Sequence, residues 1–246
     1  MPGDRPIPVA GSVCRPAATI HKGLSIMSQI FLREIEKLKA HLVYLFKMVE
    51  MNYTLACRAL NDGDLGVAEE IYRQESEIDD KKIDIQEECF KIIALHQPVA
   101  FDLRFIMATL KFNNDLERIG DMAVSIAKRA QALEEFPPVT PPVDLGKMAN
   151  HVHDMLNRSL DALIKLDQDL AVGVLGDEEA VDEMHRHNLK MIKEAIVRNP
   201  EQIDALVNYL SVSRYLERIA DYVTNLGEEV VYIVEGEIVY HLHQDE

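Results

Sequence analysis

The heptapeptide Asp115-Leu116-Glu117-Arg118-Ile119-Gly120-Asp121 returns as Tyr215-Leu216-Glu217-Arg218-Ile219-Ala220-Asp221, identical at five of seven positions. Self-similarity at a spacing of about 100 residues marks a duplicated structural unit. Leu116, Ile119, Ala123 and Ile126 recur near the 3.6-residue period of a helix, and Phe105, Phe112 and Ala130 extend the same stripe. A helix is therefore expected over roughly Phe101 to Leu133.

Two more helical runs precede it. Ile30, Ile35, Leu38, Leu42, Leu45, Met48 and Val49 predict a helix from Ser28, a suitable N-cap, to Leu60. It stops at the turn sequence Asn61-Asp62-Gly63-Asp64. Val67, Ile71, Ile78, Ile85 and Ile92 mark a second helix from Leu65 to about Leu95, closed by Gln97-Pro98 because the residue before proline disfavours helix. After the repeat helix comes Pro137-Pro138-Val139-Thr140-Pro141-Pro142. Four prolines in six residues cannot be helix interior, so this is a linker.

The pattern then restarts. Leu145, Met148, Val152, Met155, Leu156, Leu163 and Leu166 predict a helix over Asp144 to Leu170. A fifth helix opens at Gly176-Asp177 and runs to about Val197; a sixth opens at Asn199-Pro200 and runs to around Val239. Short loops force consecutive helices antiparallel. The expected fold is all-α: two tandem three-helix bundles, six long helices in all. The expected boundaries are a disordered extension over 1–26, a first repeat over 27–134, a linker over 135–143 and a second repeat over 144–240. Met27 is an alternative start.

Composition narrows the function classes. The 246 residues carry a formal net charge of -16, which repels phosphate backbones and argues against nucleic-acid binding. No polybasic patch suits anionic lipid, and no apolar stretch approaches the ~20 residues needed to span a bilayer. Membrane association is expected only through a partner. Residues 1–26 lack the apolar core of a signal peptide. Cys14, Cys57 and Cys89 show no metal-ligand spacing and read as reduced thiols in a cytoplasmic protein.

The chemistry lies in carboxylates. Glu-x-x-x-Asp occurs as Glu75/Asp79 and Glu117/Asp121 in the first half, and as Glu178/Asp182 and Glu217/Asp221 in the second. Spacing i, i+4 puts both acids on one helix face at a cost of a few tenths of a kcal/mol. On a helical wheel, Glu117 and Asp121 point away from the core stripe with Asn114, and Glu217 and Asp221 share a face with Arg214 and Asn225. These acids are expected to be surface groups, facing each other across a shallow groove between helices. A solvated face with intrahelical ion pairs is one reading; oxygen clusters for a hard cation, iron or manganese is the other. His185, beside Asp182, could join such a site. A ferritin-like di-iron centre is disfavoured, because no Glu has a His three residues later. There is no glycine-rich phosphate loop and no nucleophile elbow, so no catalytic residue is expected. Asp102 suits a helix N-terminus, and Arg104 could contact a partner or an anion.

Pro98, Asp102-Leu103-Arg104 and Leu116-Glu117-Arg118-Ile119-Gly120-Asp121, followed by Leu216-Glu217-Arg218-Ile219-Ala220-Asp221, Asn225, Glu229-Val230 and Tyr232, resemble the PhoU family over residues 28–236. Ala220 departs from the pattern by one small residue, and residues 1–26 have no counterpart in it. The resemblance implies two-repeat helical bundles that repress the phosphate-starvation response. Such proteins act as adaptors between a phosphate ABC transporter and a sensor histidine kinase. It implies iron, zinc or another divalent metal cluster on Glu75, Asp79, Glu117, Asp121, Glu178, Asp182, Glu217 and Asp221, and a homodimer. Arg104, Arg118, Arg214, Arg218 and Asn225 are the expected partner contacts. A metal-binding or metal-storage protein built on the same carboxylates is the alternative.

Overall fold

A computed structural model describes residues 17–63 and 65–236, with backbone alone at 17–27, 62 and 65. Among these residues there is no strand. Seven α-helices follow in order: α1 (Ala17–Asp62), α2 (Ala68–His96), α3 (Ala100–Leu133), α4 (Leu145–Lys165), α5 (Gln168–Leu175), α6 (Glu178–Arg198) and α7 (Ile203–Glu235). Six are long, as the periodicity predicts, and α5 is a short addition.

Three boundaries differ from expectation. Helix α1 begins at Ala17, so Ser28 lies inside it and caps nothing; no proline stands between Pro16 and Leu60 to stop it. The expected disorder of residues 1–16 lies outside the described residues. The fourth helix stops at Lys165, where Leu166 turns left-handed at φ 50, and Asp167 accepts from the Leu170 N–H to start α5. Helix α5 with α6 thus takes the place that the unbroken α2 holds in the first half. Finally, α7 ends at Glu235 rather than near Val239, because Gly236 takes φ 80 and its N–H caps the Tyr232 carbonyl.

The core is one body. Leu38, Leu45 and Phe46 of α1, Phe112, Leu116 and Ile119 of α3, Val152 of α4 and Leu216, Ile219 and Val223 of α7 are fully buried in a single contiguous cluster. Helix α3 lies along α7 in the most extensive pairing of the molecule, and α1 meets α4. The two repeats are packed face to face through α3 and α7. Tyr53 of α1 donates to the Ala149 carbonyl of α4 at 2.7 Å, and Tyr209 pins the proline linker by donating to the Val139 carbonyl.

The α3–α7 seam carries charge. Lys111 Nζ donates to Glu229 Oε1 at 2.5 Å and lies over the Tyr232 ring, while Glu229 Oε2 is buried without a hydrogen-bond partner. Burial first, then the Glu229 charge, push the Asp115 carboxyl up to about 7, against the opposing pull of Lys111. The folded chain then holds the Asp115 proton more tightly than the unfolded chain does. Stability from this group is complete below pH about 4 and is lost as pH rises through about 7. Asp115→Asn should therefore be more stable than the parent by a margin that grows from pH 5 to pH 8, to on the order of 1–2 kcal/mol. Urea midpoints at each pH measure it; a margin that is flat with pH sinks the assignment.

Candidate metal and partner surface

Each repeat positions its acids by the same device. Two i, i+4 pairs stand on neighbouring antiparallel helices, so the pairs meet at the seam α2/α3 in the first half and α6/α7 in the second. The seams are less exposed than the wheel suggests. Glu117 and Glu217 retain only 17% and 12% of their side-chain exposure. The physical reason is that a bundle helix has two neighbours. Positions about 100° from the core stripe then face the adjacent helix rather than solvent.

In the second half, Asp182 of α6 and Glu217 and Asp221 of α7 offer carboxylate oxygens that all lie within 4.8 Å of one another. This is the one such three-acid group among the described residues. Glu178 is half-buried and stands outside this trio. One Glu217 oxygen accepts from Arg214; the other, Oε2, is buried with no partner. Burial and then the Asp221 charge raise the Glu217 pKa, with Asp182 adding to the rise and Arg214 and Arg218 opposing it. Three converging carboxylate oxygens with an orphaned buried atom fit a hard divalent cation, which would supply positive charge there.

The first half differs. Lys82 of α2 enters the seam and bonds Glu117 Oε2 at 2.8 Å, while Arg118 pairs with Asp121 at 3.2 Å. Burial and then Glu117 raise the Asp121 pKa. Asp79 is exposed and Glu75 half-buried. Lys82 stands three residues beyond Asp79; His185 stands three beyond Asp182. One half therefore carries its own cation where the other carries an imidazole. His185 turns to Ser213, its Nδ1 2.9 Å from Oγ, and burial followed by Arg214 lowers its pKa. Lys82 belongs to no motif of its own; its register with His185 across the repeat is the signal that finds it.

The expected partner contacts divide. Arg118 and Arg214 are exposed, whereas Arg218 is half-buried and meets the Tyr222 hydroxyl at 3.5 Å. Asn225 is half-buried beside the acids. Arg104 is engaged in the fold: its guanidinium donates to the Ile233 carbonyl at 3.3 Å and packs at Gly236, capping the end of α7.

Known proteins share this fold. The family model described as "PhoU domain" matches twice, at residues 42–130 and 145–230. A phosphate-specific transport system accessory protein PhoU homolog of Aquifex aeolicus is 37% identical over 211 residues, 86% of this chain and 96% of that protein. The accessory protein PhoU of Escherichia coli is 30% identical over 218 residues, 88% of this chain and 90% of its own length. The crystal structure of PhoU from Pseudomonas aeruginosa superposes with a TM-score of 0.81 at 35% identity, covering 84% of this chain and all of that one. The phosphate transport system regulatory protein PhoU from Streptococcus pneumoniae superposes with a TM-score of 0.76 at 29% identity.

Proposed function

The chain belongs to the PhoU family, and from that premise we propose that it is an accessory and negative regulator of a phosphate-specific transport system, working by binding rather than by catalysis. Relatives spanning nearly their full length carry the accessory-protein name, which supports the reading. Among the described residues no helix is long and apolar enough to cross a membrane, and in this proposal contact with a transporter is made from a face of the bundle. The chain acts as a cytoplasmic adaptor, a homodimer in this proposal, between the transporter and a sensor histidine kinase. In high phosphate it binds the silent state of that assembly more tightly than the active one, since only differential affinity moves an equilibrium.

The paired carboxylate seams are the functional surfaces of this proposal. Asp182, Glu217 and Asp221 hold a divalent cation such as manganese, iron or zinc, with Glu178 adjacent. Bound there, the cation neutralises the trio and ties α6 to α7. Glu117 and Asp121 remain a partner surface, because Lys82 already supplies the cation of that seam.

A phosphate-starvation reporter tests the regulatory part. In a deletion strain grown in excess phosphate the reporter should be on, and this chain should silence it. Glu117→Lys with Asp121→Lys should leave it on at normal protein level. Silence in the deletion strain would defeat the proposal, and silencing by the charge-reversed variant would move the functional surface elsewhere.

A further inference from the structure

The repeat allows a comparison of surfaces that no single helix permits. Aligned on Glu75/Asp79 and Glu178/Asp182, α2 and α6 bury the same positions: Ile78 matches Val181, Ile85 matches Asn188 and Cys89 matches Ile192. Their outward ridges have the same register and different chemistry. On α2 the ridge is Ile83, Glu87 and Phe90, with Ile83 and Phe90 each more than half exposed. On α6 the corresponding residues are Arg186, Lys190 and Lys193, all exposed, with Arg198 near the helix end.

This ridge is out of keeping with the rest of the chain. The protein has 42 acidic against 26 basic residues, yet these cations gather on one face of one helix. Arg186 is held by Glu179 and Glu183, and Arg198 by Glu194 at 2.8 Å. Lys190 and Lys193 make no ion pair and no side-chain hydrogen bond among the described residues. Helix α6 buries only Val181, Asn188 and Ile192, the fewest of the long helices whose buried faces are known in full. Its outer face is therefore open along its length.

We propose that the outer ridge of α6, centred on Lys190 and Lys193, docks an acidic segment of a partner protein. Charge complementarity selects the occupant. Two unpaired ammonium groups one turn apart match carboxylates at helical spacing, and Arg186 and Arg198 extend the ridge at either side. A long phosphate backbone runs past the ridge onto a chain whose net charge is -16, whereas a short acidic segment can be confined to the ridge itself. An anionic bilayer calls for a broader basic patch with apolar side chains to insert, and Val197 is the single exposed large apolar residue on this helix. The repeat-related ridge on α2 presents Ile83 and Phe90 around the acidic Glu87, so a partner that straddles both halves meets a partly oily, acidic contact on one and a basic contact on the other. That fixes its direction of docking, the usual service of electrostatic complementarity.

The test uses the full chain and a fluorescein-labelled peptide of twenty glutamates. Fluorescence anisotropy at low salt should show saturable binding, weakened about tenfold by K190E/K193E and to a similar degree by 0.2 M NaCl. The double swap K47E/K165E makes the same charge change at exposed lysines on α1 and α4 and should leave binding unchanged. Melting curves of both variants should match the parent. Absence of peptide binding, or equal loss with both swaps, overturns the proposal. So does tighter binding to a twenty-residue oligothymidylate or to phosphatidylglycerol vesicles. Sedimentation covers the remaining occupant: if the parent is a dimer and K190E/K193E dissociates it, the ridge is a self-interface. None of these readouts depends on the phosphate reporter, so this proposal and the regulatory one fail separately.

Discussion

Phe112→Ala should cost about 3–5 kcal/mol and should loosen both repeats together. The ring is fully buried on α3, the helix that touches α1, α2 and α7 alike. Truncation leaves a cavity whose walls belong to helices long enough to resist collapse, which puts the loss toward the upper end. Because the buried residues of both halves form one cluster, the parent and the variant should each unfold in one transition. Urea denaturation followed by circular dichroism, and separately by a thiol probe on Cys89 (fully buried on α2), should give coincident curves with the midpoint displaced in the variant. Two separated transitions would show that each bundle holds its own core, and would refute the reading of a single body.

That cooperativity marks the limit of what was legible in the sequence. Periodicity and punctuation carry the helices: Asn61-Asp62-Gly63, Gln97-Pro98 and the prolines from 137 to 142 each end an element near where it ends in the structure. The duplicated Leu-Glu-Arg-Ile run gives the two-fold design. Neither signal says that α3 and α7 lie along each other, because both helices are apolar over a wide arc and the pattern does not name the partner. Leu166 was illegible for a different reason. Its left-handed backbone is imposed by the cap at Asp167 and by packing, while the residue itself reads as an ordinary helix former. The carboxylate seams were half legible. The i, i+4 spacing finds the acids, but a single-helix wheel assigns them to solvent since it omits the neighbouring helix.

The halves have kept their packing and changed their charges. Lys82 faces Glu117 where His185 stands in the second half, and Asn114 holds the position of Arg214. Lysine enters the first seam from α2; arginine enters the second from α7. The ammonium of Lys82 sits on the Glu117 oxygen itself, which offsets the Glu117 charge without a metal. Arg214 takes one oxygen of Glu217 and leaves the other buried and unpaired. Of the two seams, the second has the stronger call for an external cation.

Glu217→Gln should therefore move stability in opposite directions with and without metal. In metal-free protein the substitution removes a buried charge that burial, Asp221 and Asp182 all disfavour, so the melting temperature should rise. With manganese at about a hundredfold above its dissociation constant, the parent should gain roughly 2.7 kcal/mol by linkage. The variant, having lost one of three oxygen ligands, should gain little at the same concentration. The two melting curves should cross as manganese is titrated. Lys82→Ala supplies the converse, since freeing Glu117 should add a second, weaker manganese-dependent rise. Parallel shifts in parent and Glu217→Gln would mean that metal binds elsewhere, and no shift in either that it does not bind. The seam between α6 and α7 would then be a charged joint balanced by the chain's own cations, Arg214 and Arg218 among them.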